Sequence, residues 1–183
     1  VNYKLRYRKE QAKFWASSYE EKRPELTTTQ RKMLSHYDNA TLYNDSIVAE
    51  IVKRFQKENA IVIYVPDHGE ECYEEDRGFI CRNHAANIDW PLAHYEFEIP
   101  FWIYCSPKYI KTHRDIYRQI RAAKDKRFMT DALPHLLLYL AGIETPTYKE
   151  EYNILSPKYN EMRPRILKNS ADYDQLRDEH LKK

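Results

Sequence analysis

Ile61-Val62-Ile63-Tyr64-Val65-Pro66-Asp67-His68-Gly69-Glu70-Glu71 is the stretch on which the fold turns. Five apolar, mostly β-branched residues in a row predict a strand over 61–65. A run without polar alternation reads as buried on both faces, and so as part of a parallel sheet. Upstream, Met33, Tyr37, Ala40, Tyr43, Ile47, Ile51 and Phe55 recur at helical spacing. The threonines at 27–29 offer N-caps and Asn59 ends the helix. Residues 1–25 are charged and aromatic, and read as an irregular surface segment leaning on something else. Downstream, 70–95 is polar, with acids at 70, 71 and 74–76, and reads as a long loop. Residues 99–105 (IPFWIYC) predict a second strand, and Ile116, Ile120 and Ala123 a short amphipathic helix. Residues 133–140 predict a strong apolar helix, capped by Thr130 or Asp131 and stopped at Gly142. A short strand is expected at 153–155, and 168–183 as a charged, loose tail. Strands alternating with helices give an α/β class: a mostly parallel sheet flanked by helices.

Composition narrows the function classes. The 183 residues suffice for one domain with a real core. Lys+Arg 30 against Asp+Glu 28 gives +2, too little field to hold nucleic acid. There are 3 glycines, where average usage of about 7% would give roughly 13. No Gly-rich nucleotide motif is present. No run approaches the ~20 apolar residues of a membrane span. Cys72 and Cys81 lie nine apart in the polar loop, and either pair or stay as thiols; Cys105 falls in an apolar run and reads as core.

The turn after the first strand is the first candidate site, because ligands in open α/β sheets sit beyond the carboxyl ends of strands. Adjacent Asp67 and His68 can both reach one cation such as Zn²⁺. Gly69 would let the chain bend sharply past them. The alternative is an exposed polar turn in which Asp67 merely caps. Glu70 either orients His68 or is a solvated charge; His94, His113 and His135 have no chemistry assigned.

Four segments carry a resemblance. IVIYVPDHGEE (61–71) resembles the strand and metal turn of the sulfatase/alkaline-phosphatase superfamily. HYDNATLYNDSIVAEIV (36–52), EIPFWIYCS (98–106) and MTDALPHLLLYLAGIETP (129–146) are similar to the flanking segments of its phosphoethanolamine transferases. The resemblance spans roughly 1–167, with 168–183 as the tail beyond it.

That resemblance implies a zinc enzyme. A threonine attacks the phosphorus of a phosphatidylethanolamine donor, and the covalent phosphoethanolamine passes to a lipid A or core-sugar hydroxyl. Asp67 and His68 match the family's zinc ligands. His84 stands where the family has a histidine at the substrate phosphate, though its context here is Arg82-Asn83-His84-Ala85. The nucleophile, a further acidic ligand and the membrane helices are expected upstream. The chain then resembles the C-terminal half of the catalytic domain, with the sheet incomplete and the fragment alone inactive. Its partners would be a phospholipid donor, a glycolipid acceptor and the upstream half of its own chain, with no nucleic acid. The parent would be anchored in a bacterial inner membrane with this domain in the periplasm. A sulfatase or phosphodiesterase of the same superfamily, and a non-catalytic scaffold domain, are the competing readings.

Overall fold

The structure is a computed structural model that describes residues 2–81, 87–168 and 170–182. It divides into two units, Val1–Glu58 and Asn59–Lys183.

The first unit is built on α1, Thr28–Phe55. Thr27 caps it in a reciprocal box: its hydroxyl accepts from the Gln30 N–H, and the Gln30 side chain accepts from the Thr27 N–H at 2.8 Å. The N-terminal segment runs as short 3-10 turns against this helix. Buried Asn39 pins it, with Oδ1 accepting from the N–H groups of Lys13 (2.7 Å) and Phe14 (3.0 Å), and Nδ2 donating to the Phe14 carbonyl (2.8 Å). Tyr19 donates to Asp38, and Tyr3 meets Tyr37 edge-on at 5.3 Å. Asn39→Ala strands three backbone groups and is expected to cost about 2–3 kcal/mol, seen as faster amide exchange at Lys13 and Phe14. Ile47, Ile51 and Phe55 of α1 remain exposed.

The second unit begins with β1, Ile61–Tyr64, which pairs with β4, Trp102–Cys105. The pairing is antiparallel, Ile61 opposite Cys105 and Tyr64 opposite Trp102, whose rings stack at 5.2 Å. A parallel sheet is therefore not what these two strands form. The apolar run reported a strand with two partly covered faces, but carries no information on the direction of its neighbour. Ser106 closes the pair: its N–H donates to the Ala60 carbonyl at 3.0 Å, and its hydroxyl caps α3, Pro107–Thr112. Next comes α4, Arg114–Ala123, and then α5, Leu133–Ala141. Leu136 is fully buried and packs with Ala123, Ile154 and Leu155.

Gly142 ends α5 with φ 65°, and the N–H of Ile143 returns to the Leu138 carbonyl at 2.9 Å, a Schellman stop. Neither Thr130 nor Asp131 caps this helix; both lie in a 3-10 turn leading into it, and Asp131 instead takes a two-pronged bond from Arg163. Residues 153–155 form a buried turn rather than a strand, with the Asn153 side chain accepting from the Leu155 N–H.

The polar stretch expected as loop holds a small hairpin, β2 (Glu71–Cys72) with β3 (Phe79–Cys81). After it come a helical turn, α2 (Trp90–Leu92), and a π-helical turn, Ala93–Phe97. The register sets Glu71 opposite Cys81 and Cys72 opposite Phe79.

Residues beyond 165 carry a third two-stranded pair, β5 (Ile166–Leu167) with β6 (Ala171–Asp172), and α6, Tyr173–His180. The charge that reads as a loose tail is spent on ion pairs. Asp174 bonds Arg127 and Arg165, the latter at 2.5 Å, and Tyr173 is buried beside Ala93 and Leu167. The bond from Arg165 holds the Asp174 carboxyl below its ordinary 3.8. A depressed carboxylate stabilises above its unfolded pKa, and the stabilisation is lost as pH falls through the lower folded value. Asp174→Asn is thus expected to cost about 1–3 kcal/mol near neutrality and less below pH 3, read as amide exchange across α6.

Candidate functional site

The chain leaves β1 through Val65 and Pro66 and turns at Asp67-His68-Gly69. Asp67 is exposed, with 83% of its side chain open to solvent, whereas His68 is mostly covered. Their nearest polar atoms, Asp67 Oδ2 and His68 Nε2, lie 3.6 Å apart. The second imidazole nitrogen, Nδ1, sits 2.7 Å from the Gly69 carbonyl. A carbonyl can only accept, so Nδ1 carries the hydrogen. In the neutral ring Nε2 then holds the lone pair, the state a metal ligand needs. Carboxylate and imidazole are donor types that zinc takes. Among the described residues no group of three or more His, Cys, Asp or Glu side chains is placed to hold a metal ion. The turn thus fits a zinc site as a contributor of two ligands.

Gly69 explains why the turn stays in place. Its N–H donates to the Glu96 carbonyl at 2.8 Å. A Cβ added here would lie 2.1 Å from the Tyr95 carbonyl oxygen. Close backbone contact with the π-helical turn, not a left-handed φ, is what demands glycine. Only Gly78 and Gly142 among the glycines have positive φ.

A second tie was hidden in the acidic stretch. Glu71 is fully buried, and its Oε1 accepts from Arg77 Nε at 2.5 Å. The same guanidinium reaches Asp89 Oδ2 at 2.5 Å through Nη1. Asp89 in turn caps α2, accepting from the Leu92 N–H at 3.1 Å. Burial pushes the Glu71 carboxyl up, against the pull of Arg77. Asp89 shifts down: burial opposes this, and the bonds from Arg77 and Leu92 outweigh it. One segment, from Asp89 to Phe97, therefore grips the Asp67-His68 turn at Gly69 and the following strand at Glu71. The signal in the sequence was slight: Arg77 is the single base between 70 and 81.

The remaining candidates separate. Glu70 is half-buried beside the turn. His84 lies outside the described residues. His94 stacks on Trp90 at 5.5 Å and His113 on Tyr109 at 4.2 Å. His135 accepts from the Lys149 N–H at 3.1 Å, a structural use. Cys105 is buried, and burial raises its thiol pKa. No helix among the described residues is long and apolar enough to cross a membrane.

The chain is similar to several known proteins. The chain is 32% identical over 164 residues to phosphoethanolamine transferase EptC of Escherichia coli strain K12, covering 88% of this chain and 27% of that protein. It is 28% identical over 102 residues to the Kdo(2)-lipid A phosphoethanolamine 7''-transferase of the same strain, covering 54% of this chain and 17% of that protein. The chain therefore spans about a quarter of the length of the first of these relatives. Among solved structures, the C-terminal periplasmic domain of E. coli EptC in complex with Zn matches with TM-score 0.74 and 29% identity, over 96% of this chain and 49% of that one. The corresponding domain of Campylobacter jejuni EptC shares the fold, with TM-score 0.62 and 22% identity over 87% of this chain and 49% of that one. The sequence profile named Sulfatase matches residues 2–143, across α1, the β1–β4 pair, the Asp67-His68 turn and α5. By that match the chain belongs to the sulfatase family.

Proposed function

We propose that this chain is part of a zinc-dependent enzyme that moves phosphoethanolamine from phosphatidylethanolamine to a hydroxyl of a lipid A or core-sugar acceptor. The observation that carries the reading is the Asp67-His68 turn at the end of β1, with Nδ1 of His68 bonded to the Gly69 carbonyl, in a chain similar along most of its length to EptC. Asp67 and His68 would hold zinc, and His84 would assist at the donor phosphate. The nucleophilic threonine and the other ligands would come from the part of the domain this chain does not span. The parent would sit in a bacterial inner membrane with this domain in the periplasm.

Zinc, when bound, would neutralise charge on the nonbridging phosphoryl oxygens and favour the alkoxide of the nucleophile. The chain's own residues supply position. Gly69 and the Glu71–Arg77–Asp89 link fix the turn, and the Gly69 carbonyl keeps the Nδ1 proton in place, so His68 offers Nε2 without rotating. Relay through threonine makes one P–O bond as the bond to diacylglycerol breaks, and then reverses that chemistry with the acceptor hydroxyl. The test uses the parent protein, fluorescent phosphatidylethanolamine and zinc. Fluorescent diacylglycerol should appear, and fall by about 100-fold or more in His68→Ala, beyond the roughly 10–100-fold that losing only a hydrogen-bond partner of a metal ligand costs. Equal release from His68→Ala would refute the role of the turn.

A further inference from the structure

The whole-chain charge of +2 conceals an asymmetry. Residues 1–15 hold Lys4, Arg6, Arg8, Lys9 and Lys13 against one acid, Glu10, a local +4, so the other 168 residues sum to −2. All five basic residues are exposed. Among the described residues none of the five forms an ion pair. The packing of the segment sorts its rings. Tyr3 is buried against Tyr37, Tyr7 Oη lies 2.8 Å from His36 Nδ1, and Phe14 sits 6.5 Å from Tyr19 between ring centres. These three are used within the unit. Leu5 and Trp15 are not: they stay 77% and 58% exposed. The backbone holds Trp15 in that position, because Asn39 takes the N–H groups of Lys13 and Phe14, and the Trp15 N–H donates to the Ser18 hydroxyl at 3.1 Å. Lys4, Lys9 and Trp15 border one concavity with Lys32 of α1, so they share a face. A single exposed apolar residue is ordinary. Two large ones set among unpaired cations are not, and cations crowded on one surface repel one another unless an anion faces them.

We propose that residues 3–15 dock on an anionic bilayer surface, with the basic side chains at the lipid phosphates and Leu5 and Trp15 in the boundary between headgroups and acyl chains. Cations near such a surface and apolar side chains at its boundary are the two contributions that hold a peripheral segment on a membrane. Indole favours that boundary, having an apolar body and a polar N–H. Neither contribution requires a pocket, since a flat partner needs side chains displayed outward. The exposed apolar pair is what favours a bilayer over an acidic protein or a nucleic acid, which the cations alone would also attract. The contact is peripheral, distinct from a membrane-spanning anchor, and the proposal does not rest on the zinc turn or on the transferase reading.

The experiment is co-sedimentation of the 183-residue chain, without zinc, with vesicles of phosphatidylethanolamine and phosphatidylglycerol, and separately with vesicles of neutral phosphatidylcholine. The anionic vesicles should carry the chain down, less so at high salt, and tryptophan emission should shift to the blue. Trp15→Phe should lose that shift, because Trp90 and Trp102 lie outside the segment. Combined Arg6→Ser, Arg8→Ser and Lys9→Ser should weaken binding by about 100-fold. Leu5→Ser with Trp15→Ser should weaken it by about tenfold or more. All of these side chains are exposed, and each variant is checked for an unaltered thermal midpoint, which excludes misfolding as the cause. No sedimentation with the anionic vesicles overturns the proposal. So does equal binding to the neutral ones, or binding indifferent to the basic substitutions. Binding that needs the basic residues but not Leu5 and Trp15 overturns it as well, in favour of an acidic macromolecule as the partner. None of these outcomes bears on zinc-dependent transfer, so the two readings fail separately.

Discussion

Gly69→Ala is expected to dislodge the Asp67-His68 turn while leaving the rest of the second unit folded. The new methyl would fall 2.1 Å from the Tyr95 carbonyl oxygen, so either the turn or the π-helical segment must retreat. Retreat also breaks the bond from the Gly69 N–H to the Glu96 carbonyl. Overpacking of this kind costs about 1–3 kcal/mol and the lost backbone bond about 1 kcal/mol, for a total near 2–4 kcal/mol. The conformational argument is separate, because Gly69 does not use a left-handed φ; a larger residue is excluded by space alone. Thermal unfolding would show the drop, and zinc affinity of the parent protein should fall along with it. A Gly69→Ala variant of native stability and native zinc affinity would contradict the account of how the turn is held.

Arg77→Met should be nearly as damaging, for an electrostatic reason. It leaves Glu71 buried without its cation and Asp89 without one of its two anchors. Removing one partner of a buried pair costs about 3–5 kcal/mol. Arg77 retains some solvent access, so about 2–3 kcal/mol is the expected loss. The pH dependence provides an internal control. Glu71 is already raised above 4.5 by burial, and loss of Arg77 raises it further. A carboxyl whose folded pKa is raised stabilises below its unfolded value, and the contribution is lost as pH rises through the folded value. The penalty of Arg77→Met should therefore be largest near neutrality and shrink toward pH 4. Pairing it with Glu71→Leu should recover much of the loss, since no buried charge then remains. Recovery is measured by denaturant midpoints of the two single variants and the double variant.

Much of the frame was legible in the residues. Apolar spacing gave α1, and the threonines at 27–29 marked its start, because capping and helical period are local properties. Gly142 likewise announced the end of α5. Strand direction was not legible: Ile61 to Val65 says how covered a strand is, not which way its neighbour runs. The acidic stretch from Glu70 misled for a related reason. Charge was read as solvent exposure, whereas Glu71 and Arg77 are partners brought together by a hairpin whose turn no hydrophobic pattern reveals. The same held at the other end, where Asp174 is matched by Arg127 and Arg165 from distant positions. Of the candidate site, Asp67 and His68 could be named from their place after β1. Their support at Tyr95, Glu96 and Asp89 could not, since it depends on a π-helical turn that has no sequence period of its own.

The most direct test of the central claim is the intact mass of the parent protein after incubation with phosphatidylethanolamine and zinc, alongside Asp67→Ala. The account predicts a covalent phosphoethanolamine adduct on the parent protein and none on the variant. An adduct of equal yield on Asp67→Ala, or no adduct on a zinc-loaded parent, would contradict it.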